Sequence, residues 1–274
     1  MASNKALYVS DLDETLLRSD ETLSDFTVDT LNRLIESGVT FSYATARSYL
    51  TAHEVTKGLS NKLPVIIYNG TFIMENGTQE MLLSNEFSKE DSDTILRTLK
   101  EYGISPMVRS YENGMDRIFY NKHRITRAMQ KYLDRRIGDP RLNPIATDDE
   151  FPAKKLFCFT CMDDAKKLIP AYESLKGHFR CLYFKDVYTD EYWLEIQPHG
   201  ATKANAILAL KELLQCDRIV CFGNGENDIS MFEIADECYA VGNAVDALKA
   251  IATAVIDTND RDGVAKWLLE NATK

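Results

Sequence analysis

Short apolar runs alternate with amphipathic stretches through the first 70 residues, and this alternation constrains the chain more than any other feature. Ala6–Ser10 is an apolar strand that ends at Asp11. Ser24 is placed to cap a helix that presents Val28, Leu31, Leu34 and Ile35 on one face, and Gly38 stops it. Residues 39–44 read as a strand, 49–57 as a helix and 64–68 as a buried strand. Strands alternating with helices at this spacing predict an α/β fold with a doubly wound, Rossmann-like parallel sheet. Right-handed crossovers then bring the strand C-termini to one edge. Asp11, Thr45 and Asn69 each follow such a strand, so they are expected to meet although 34 and 24 positions separate neighbours.

The rhythm changes after Gly70. Glu75-Asn76-Gly77 and Glu112-Asn113-Gly114 read as hairpin turns, which imply antiparallel pairing. Helices are expected over 89–102, 124–137 and 164–175, and strands over 155–161, 179–184 and 191–197, with a Pro-rich loop around Pro140, Pro144 and Pro152. From Thr202 the alternation resumes. A helix runs to about Leu214 with Ala206, Leu210, Leu213 and Leu214 inward, and a strand over 218–222 meets Gly223-Asn224-Gly225. The expected organisation is a split core, 1–84 with 197–274, interrupted by an α+β module over 85–196.

Forty-two acidic against 32 basic residues give a net charge of −10, which disfavours a nucleic-acid backbone as partner. No run is long enough to span a membrane, and the first residues lack the pattern of a signal peptide. Six scattered cysteines, several in strand-like runs, read as free and mostly buried thiols in a reducing cytoplasm. The sequence leaves the oligomeric state open, a monomer included.

Four clusters carry chemistry. In Asp11-Leu12-Asp13-Glu14-Thr15-Leu16-Leu17 two carboxylates stand two positions apart at a strand end, where a divalent cation would relieve their repulsion. Asn224-Gly225-Glu226-Asn227-Asp228 is oxygen-rich and suits a hard cation such as Mg2+. Gly200-Ala201-Thr202-Lys203 opens a helix with a capping hydroxyl and a lysine that could neutralise phosphate. Ala44-Thr45-Ala46-Arg47 offers a hydroxyl and a guanidinium just past a strand. Alone, each reads equally as an ordinary turn or a solvated charge. Their force comes from all four falling at the expected edge of one sheet.

The ordered set resembles the haloacid dehalogenase-like superfamily, and within it the Cof-type sugar-phosphatase-like branch with a large inserted cap. Asp11 to Thr15 resembles its first motif, Thr45 with Arg47 the second, Lys203 the third and Gly223 to Asp228 the fourth. The resemblance spans essentially the whole chain and implies a phosphatase for small phosphorylated metabolites, sugar phosphates first. It makes Asp11 the nucleophile, Asp13 the general acid and base, and Thr45 and Lys203 stabilisers of the transferring group. It sets the phosphoryl group against Leu12, Thr45, Ala46, Arg47, Asn69, Gly70, Lys203 and Asn227. It implies Mg2+ held by Asp11, the Asp13 carbonyl, Asn224 and Asp228, and a cap that closes over the core. Two departures stand out: Asn224 where most relatives carry aspartate, and Ala204 where glycine is frequent. Glu14 also replaces a common glycine. Pyridoxal-phosphate or flavin-mononucleotide phosphatase, a metabolite-binding regulator with weak turnover, and a phosphomutase remain as alternatives.

Other features read as structure. Cys158-Phe159-Thr160-Cys161 has redox spacing but lies inside a strand-like run. His53, His123, His178 and His199 share no metal spacing, and His199 reads as a hinge-loop residue. The basic residues from Lys122 to Arg136 fall opposite an apolar stripe, the mark of a solvated face. Tyr183, Tyr188, Tyr192 and Trp193 fit either sheet packing or stacking on a sugar.

Overall fold

A computed structural model describes residues 5–112, 114–185 and 192–272. Asn113, Tyr188 and Glu191, together with the first four residues, lie outside the described residues. The chain divides into two compact units, one holding the chain up to Ser84 and from Ala201 onward, the other Asn85–Gly200.

The first unit opens with β1 (Ala6–Ser10), α1 (Asp25–Glu36), β2 (Thr40–Tyr43), α2 (Tyr49–Val55), β3 (Val65–Ile67), β4 (Phe72–Met74) and β5 (Met81–Ser84). The second unit contains α3 (Lys89–Glu101), β6 (Met107–Glu112), β7 (Met115–Asn121), α4 (Arg127–Asp134), β8 (Leu142–Ile145), β9 (Leu156–Asp163), α5 (Ala165–Leu175), β10 (Arg180–Lys185) and β11 (Tyr192–Gln197). The chain then returns to the first unit through α6 (Lys203–Leu213), β12 (Arg218–Gly223), α7 (Ile229–Phe232), β13 (Glu237–Ala240), α8 (Asp246–Lys249), β14 (Ala254–Val255) and α9 (Gly263–Asn271).

The core sheet of the first unit has the order β14-β13-β12-β1-β2, with every neighbouring pair parallel. β1 is buried along its whole length, as a strand covered on both faces must be. Tyr8 of β1, Phe222 of β12 and Tyr239 of β13 converge on Trp267 of α9, and the Tyr239 and Trp267 ring centroids lie 4.2 Å apart. β3 meets the end of β2 through one parallel bridge, Ala44 with Ile66, and so keeps the expected direction. On its other side it pairs with β4 in a three-stranded antiparallel sheet, β3-β4-β5, a partner that an apolar run buried on both faces does not announce.

Helix starts follow their caps. Ser24 accepts from the Thr27 amide at α1, and Gly38 beyond it takes φ +102°, a conformation glycine adopts without strain. The α1 stripe is narrower than expected: Leu31 is buried with Thr27 and Thr30, while Val28, Leu34 and Ile35 are half-buried. In α6 the buried positions are Lys203, Ala204, Ala206, Ile207 and Leu210, whereas Leu213 is exposed. Ala206 and Leu210 face inward as expected, Leu214 is half-buried, and Leu213 in the last turn points to solvent.

The second unit is a six-stranded sheet, β10-β11-β9-β6-β7-β8, antiparallel except for β7 with β8. One apolar cluster gathers Ile95 and Leu99 of α3 with Leu168 and Ala171 of α5, and another is built on Met129, Tyr132 and Leu133 of α4. The Pro-rich stretch predicts a loop, yet the segment that carries Pro144 forms β8. It is an edge strand, where a missing N–H removes no ladder bond. α4 is shorter than the 124–137 expected, because the Thr126 side chain caps it at the Met129 amide. Arg124 instead pairs with Asp148 at 2.7 Å, and the Arg136 guanidinium lies 3.6 Å over the Tyr132 ring. Tyr183 stacks on Tyr192 and Phe184 on Trp193. Cys158 and Cys161 are free and buried in β9, and burial pushes the Cys158 thiol up to about 12. Among the described residues no helix is long and apolar enough to cross a membrane.

Candidate active site

The sheet register assembles the site. The Asp11 amide donates to the Phe222 carbonyl of β12, and the Ala44 amide donates to the Ser10 carbonyl, both at 2.9 Å. These bonds set the ends of β12, β1 and β2 side by side. The Thr45 amide reaches the Ile66 carbonyl of β3, and the Asn69 amide reaches the Thr45 carbonyl, so the third loop joins the same edge.

Lys203 is the first residue of α6 and is 2% exposed. A cation at a helix N-terminus is unfavourable for the helix dipole, and a buried lysine needs partners. Its Nζ lies 2.5 Å from Asp11 Oδ1 and 2.7 Å from Asp228 Oδ1. The other Asp228 oxygen accepts from the Asn224 and Gly225 amides at 2.9 and 3.0 Å, closing the loop after β12. That carboxylate packs over Gly223, where a Cβ would stand 2.8 Å from it. Burial raises Asp11 to about 7, with the Lys203 charge opposing and the Asp228 and Asp13 charges adding.

Asp13 is differently placed. Its side chain is 44% exposed and is clasped by Arg47, whose Nε lies 3.0 and 3.1 Å from the two carboxylate oxygens and whose Nη2 lies 2.5 Å from Oδ1. The next residue, Glu14, has φ +53°. A left-handed backbone there explains why glycine serves well at this position.

Thr45 is fully buried, and its Oγ1 accepts from the Arg47 amide at 3.1 Å. Leu12 is buried and helps close the turn through its carbonyl, which accepts from Leu17. Ala46 and Asn227 are exposed and line the cleft. Gly70 has φ +97°, and a Cβ on it would stand 2.1 Å from the Thr202 carbonyl oxygen. It therefore permits the third loop to pack against the start of α6, directly beside Lys203. Asn69 keeps its Oδ1 buried, with no hydrogen-bond partner among the described residues. His199 is exposed and belongs to the second unit.

Asp11, Asp13 and Asn224 line a cleft of about 320 Å3 in the first unit, whereas Asp228 stands behind it. Asn224 Oδ1 already accepts from the Thr15 hydroxyl at 2.9 Å. Among the described residues no three His, Cys, Asp or Glu side chains form a metal-holding group by themselves. An amide oxygen and a backbone carbonyl would have to complete the set. The donors are hard oxygens, and the carboxylates of Asp11, Asp13 and Asp228 outnumber the cations Lys203 and Arg47. Hard oxygen donors with carboxylates in excess fit a hard divalent cation.

The sequence alone did not single out the turn at residues 18–22. Arg18 Nη2 donates to both oxygens of Asp262 at 3.1 Å, and Ser19 bonds Asp260 through amide and hydroxyl at 2.9 Å. Glu21 Oε2 lies 2.7 Å from Arg47 Nη2. The run Arg18-Ser19-Asp20 beyond the first cluster is a turn signal, but nothing local in it identifies a partner in the Arg47 loop.

Comparison with known proteins identifies the family. A family model described as haloacid dehalogenase-like hydrolase matches residues 8–268. The 5-amino-6-(5-phospho-D-ribitylamino)uracil phosphatase YitU of Bacillus subtilis is 25% identical over 285 residues, covering 98% of each chain. The pyridoxal phosphate phosphatase YbhA of Escherichia coli is 24% identical, covering 94% of this chain and 95% of its own. A solved haloacid dehalogenase-like hydrolase from Bacteroides thetaiotaomicron superposes with a TM-score of 0.73 at 25% identity, over 97% of this chain and 98% of that one. A Thermotoga maritima structure gives a TM-score of 0.78 at 24% identity, over 98% of both chains.

Proposed function

Because the chain belongs to the haloacid dehalogenase-like hydrolases, we propose that it is a Mg2+-dependent phosphatase of small phosphorylated metabolites, working through an aspartyl-phosphate on Asp11. The observation that carries this reading is the buried Asp11–Lys203–Asp228 triad at the sheet edge, with Asp11 opening onto the cleft. A carboxylate desolvated beside a fixed ammonium is suited to accept a phosphoryl group and hold its charge.

An Asp11 oxygen attacks phosphorus, and the bond to the leaving alkoxide breaks. Asp13 delivers the proton to that alkoxide, then takes one from the water that attacks the acyl phosphate. That second displacement breaks the bond to Asp11 and releases inorganic phosphate. Lys203 has three donors, two of which go to Asp11 and Asp228, leaving one for a phosphoryl oxygen. The Thr45 hydroxyl, the amides of the Leu12 and Ala46 loops and the Asn69 side chain would bind the remaining oxygens, with Gly70 holding the third loop close and Asn227 at the cleft rim. Mg2+, when held by Asp11, the Asp13 carbonyl, Asn224 and Asp228, supplies charge neutralisation at the phosphoryl group.

The aryl phosphate p-nitrophenyl phosphate tests the reading, with wild type and Asp11→Asn compared in Mg2+ and in EDTA. Turnover is expected only for wild type with Mg2+, and equal rates for the two proteins would overturn the covalent route. Sugar phosphates are the first substrate class from the sequence resemblance. The named activities of the two relatives favour a second class, phosphorylated pyridoxal or ribityl compounds, and a substrate panel separates the two.

A further inference from the structure

The Arg47 guanidinium faces two carboxylates at once. Its fork grips Asp13 through Nε and Nη2, and the same Nη2 reaches Glu21 at 2.7 Å. The Arg47 backbone is fixed on both sides, its amide donating to Thr45 Oγ1 and its carbonyl accepting from Tyr68 at 3.0 Å. The Glu21 backbone is fixed as well. The turn closes through Arg18 N–H to the Thr22 carbonyl and Glu21 N–H to the Arg18 carbonyl, both 2.9 Å, and Arg18 and Ser19 pin it to Asp262 and Asp260. Glu21 itself has φ +63°, a conformation that costs a residue with a Cβ.

Its carboxylate is 68% exposed, and an ion pair at that exposure contributes little to folding. A strained residue, anchored at several points, that places a charge with small structural value on the rim of the cleft calls for another role. The geometry points to Glu21 as a positioning residue that sets the affinity of the site for phosphate. It competes with an incoming phosphoryl group for Arg47, holds the guanidinium on Asp13, and so weakens the grip on substrate and on the inorganic phosphate product. The inference rests on the phosphatase reading and adds to it a residue outside the family motifs.

Glu21→Gln keeps the shape and removes the charge. The KM for p-nitrophenyl phosphate and the Ki for inorganic phosphate should fall together by about three- to tenfold, with kcat moving less than KM. The decrease should shrink at high ionic strength. The exposed site makes misfolding unexpected, and an unchanged melting temperature checks this. Because Glu21 acts through Arg47, the same change in an Arg47→Gln background should have no effect on Ki. An unchanged or raised Ki in Glu21→Gln overturns the inference, as does an undiminished effect in the Arg47→Gln background, which would mark a through-space charge effect. Calorimetry of inorganic phosphate with the Mg2+-loaded wild type separates the two levels. A wild type with neither turnover nor phosphate binding sinks the phosphatase reading itself. An active wild type with an unresponsive Glu21 sinks only the inference.

Discussion

Lys203→Met removes the one cation standing between two buried carboxylates while keeping the volume of the side chain. Asp228 is fully buried and Asp11, though it opens onto the cleft, is only 5% exposed, so both carboxylates stay largely desolvated when the ammonium goes. Removing one partner from a buried charged pair costs about 3–5 kcal/mol, most of it the uncompensated charge left behind. Protonation sets a ceiling on that cost. A carboxyl held neutral in the fold, against an ordinary value of 3.8, costs about 1.4 kcal/mol for every pH unit above that value. At pH 8 the ceiling for one such group is about 6 kcal/mol, and at pH 5.5 about 2. Burial already raises Asp11 to about 7, so its share of the difference shrinks as the pH falls.

The sign follows from the direction of the shift. A carboxyl raised in the fold favours folding fully below its unfolded value, and that contribution is lost as pH rises through the folded one. The Lys203→Met deficit should therefore be about 3–5 kcal/mol at pH 8 and no more than about 2 at pH 5.5. Urea unfolding in EDTA reads it. A Trp193→Phe background leaves Trp267 as the sole tryptophan, so the signal reports the first unit, where Trp267 packs on Tyr239. Adding Asp228→Asn should recover at least half of the loss at pH 8. A deficit below about 1 kcal/mol at pH 8, or one that fails to narrow at pH 5.5, would refute the claim that Lys203 is held by these two charges.

Gly70→Ala forces a Cβ to 2.1 Å from the Thr202 carbonyl in a left-handed backbone, so a loss of about 3 kcal/mol in urea unfolding is expected, with turnover of aryl phosphate falling because the start of α6 must move. Glu14→Gly relieves φ +53° at the expense of unfolded-chain entropy, and the two nearly cancel, leaving a change within about 0.5 kcal/mol by thermal melting. Asn224→Asp adds a formal charge to the cation donors; Mg2+ affinity measured by calorimetry should rise about tenfold, while the metal-free chain melts lower. Burial raises Cys158 to about 12 and Cys181 to about 11, so at pH 8 both should react with a disulfide reagent far more slowly in the native chain than after denaturation in guanidinium.

Periodicity reaches some features of this molecule and stops short of others for definable reasons. Strand ends are legible because a strand-helix alternation forces parallel pairing, and parallel pairing aligns C-termini. Asp11, Thr45 and Asn224 follow from that rule with no distance known. β3 keeps its expected direction beside β2, but its antiparallel partner β4 is not legible, because an apolar triplet buried on both faces looks the same beside either neighbour. β8 escapes because Pro144 argues against a strand everywhere except at an edge, and an edge is a property of the whole sheet.

The charges of the site divide in the same way. Residue types at strand ends identify which groups carry charge, but the assignment of partners depends on separations set by loops far apart in sequence. Lys203 at a helix start would ordinarily be solvated; only the closing of Gly70 onto Thr202 and of Asp228 over Gly223 buries it. Arg47 could serve phosphate on the strength of its position alone. In the folded chain it faces Asp13 and Glu21, and Glu21 gets there through a turn tied to Asp260 and Asp262, about 240 positions away. On the proposed reading, a phosphate reaching Arg47 would have to displace carboxylates that the protein itself has installed. The net charge of −10 says nothing about that contest, because its outcome would depend on which few of the 42 acids touch Arg47 and Lys203.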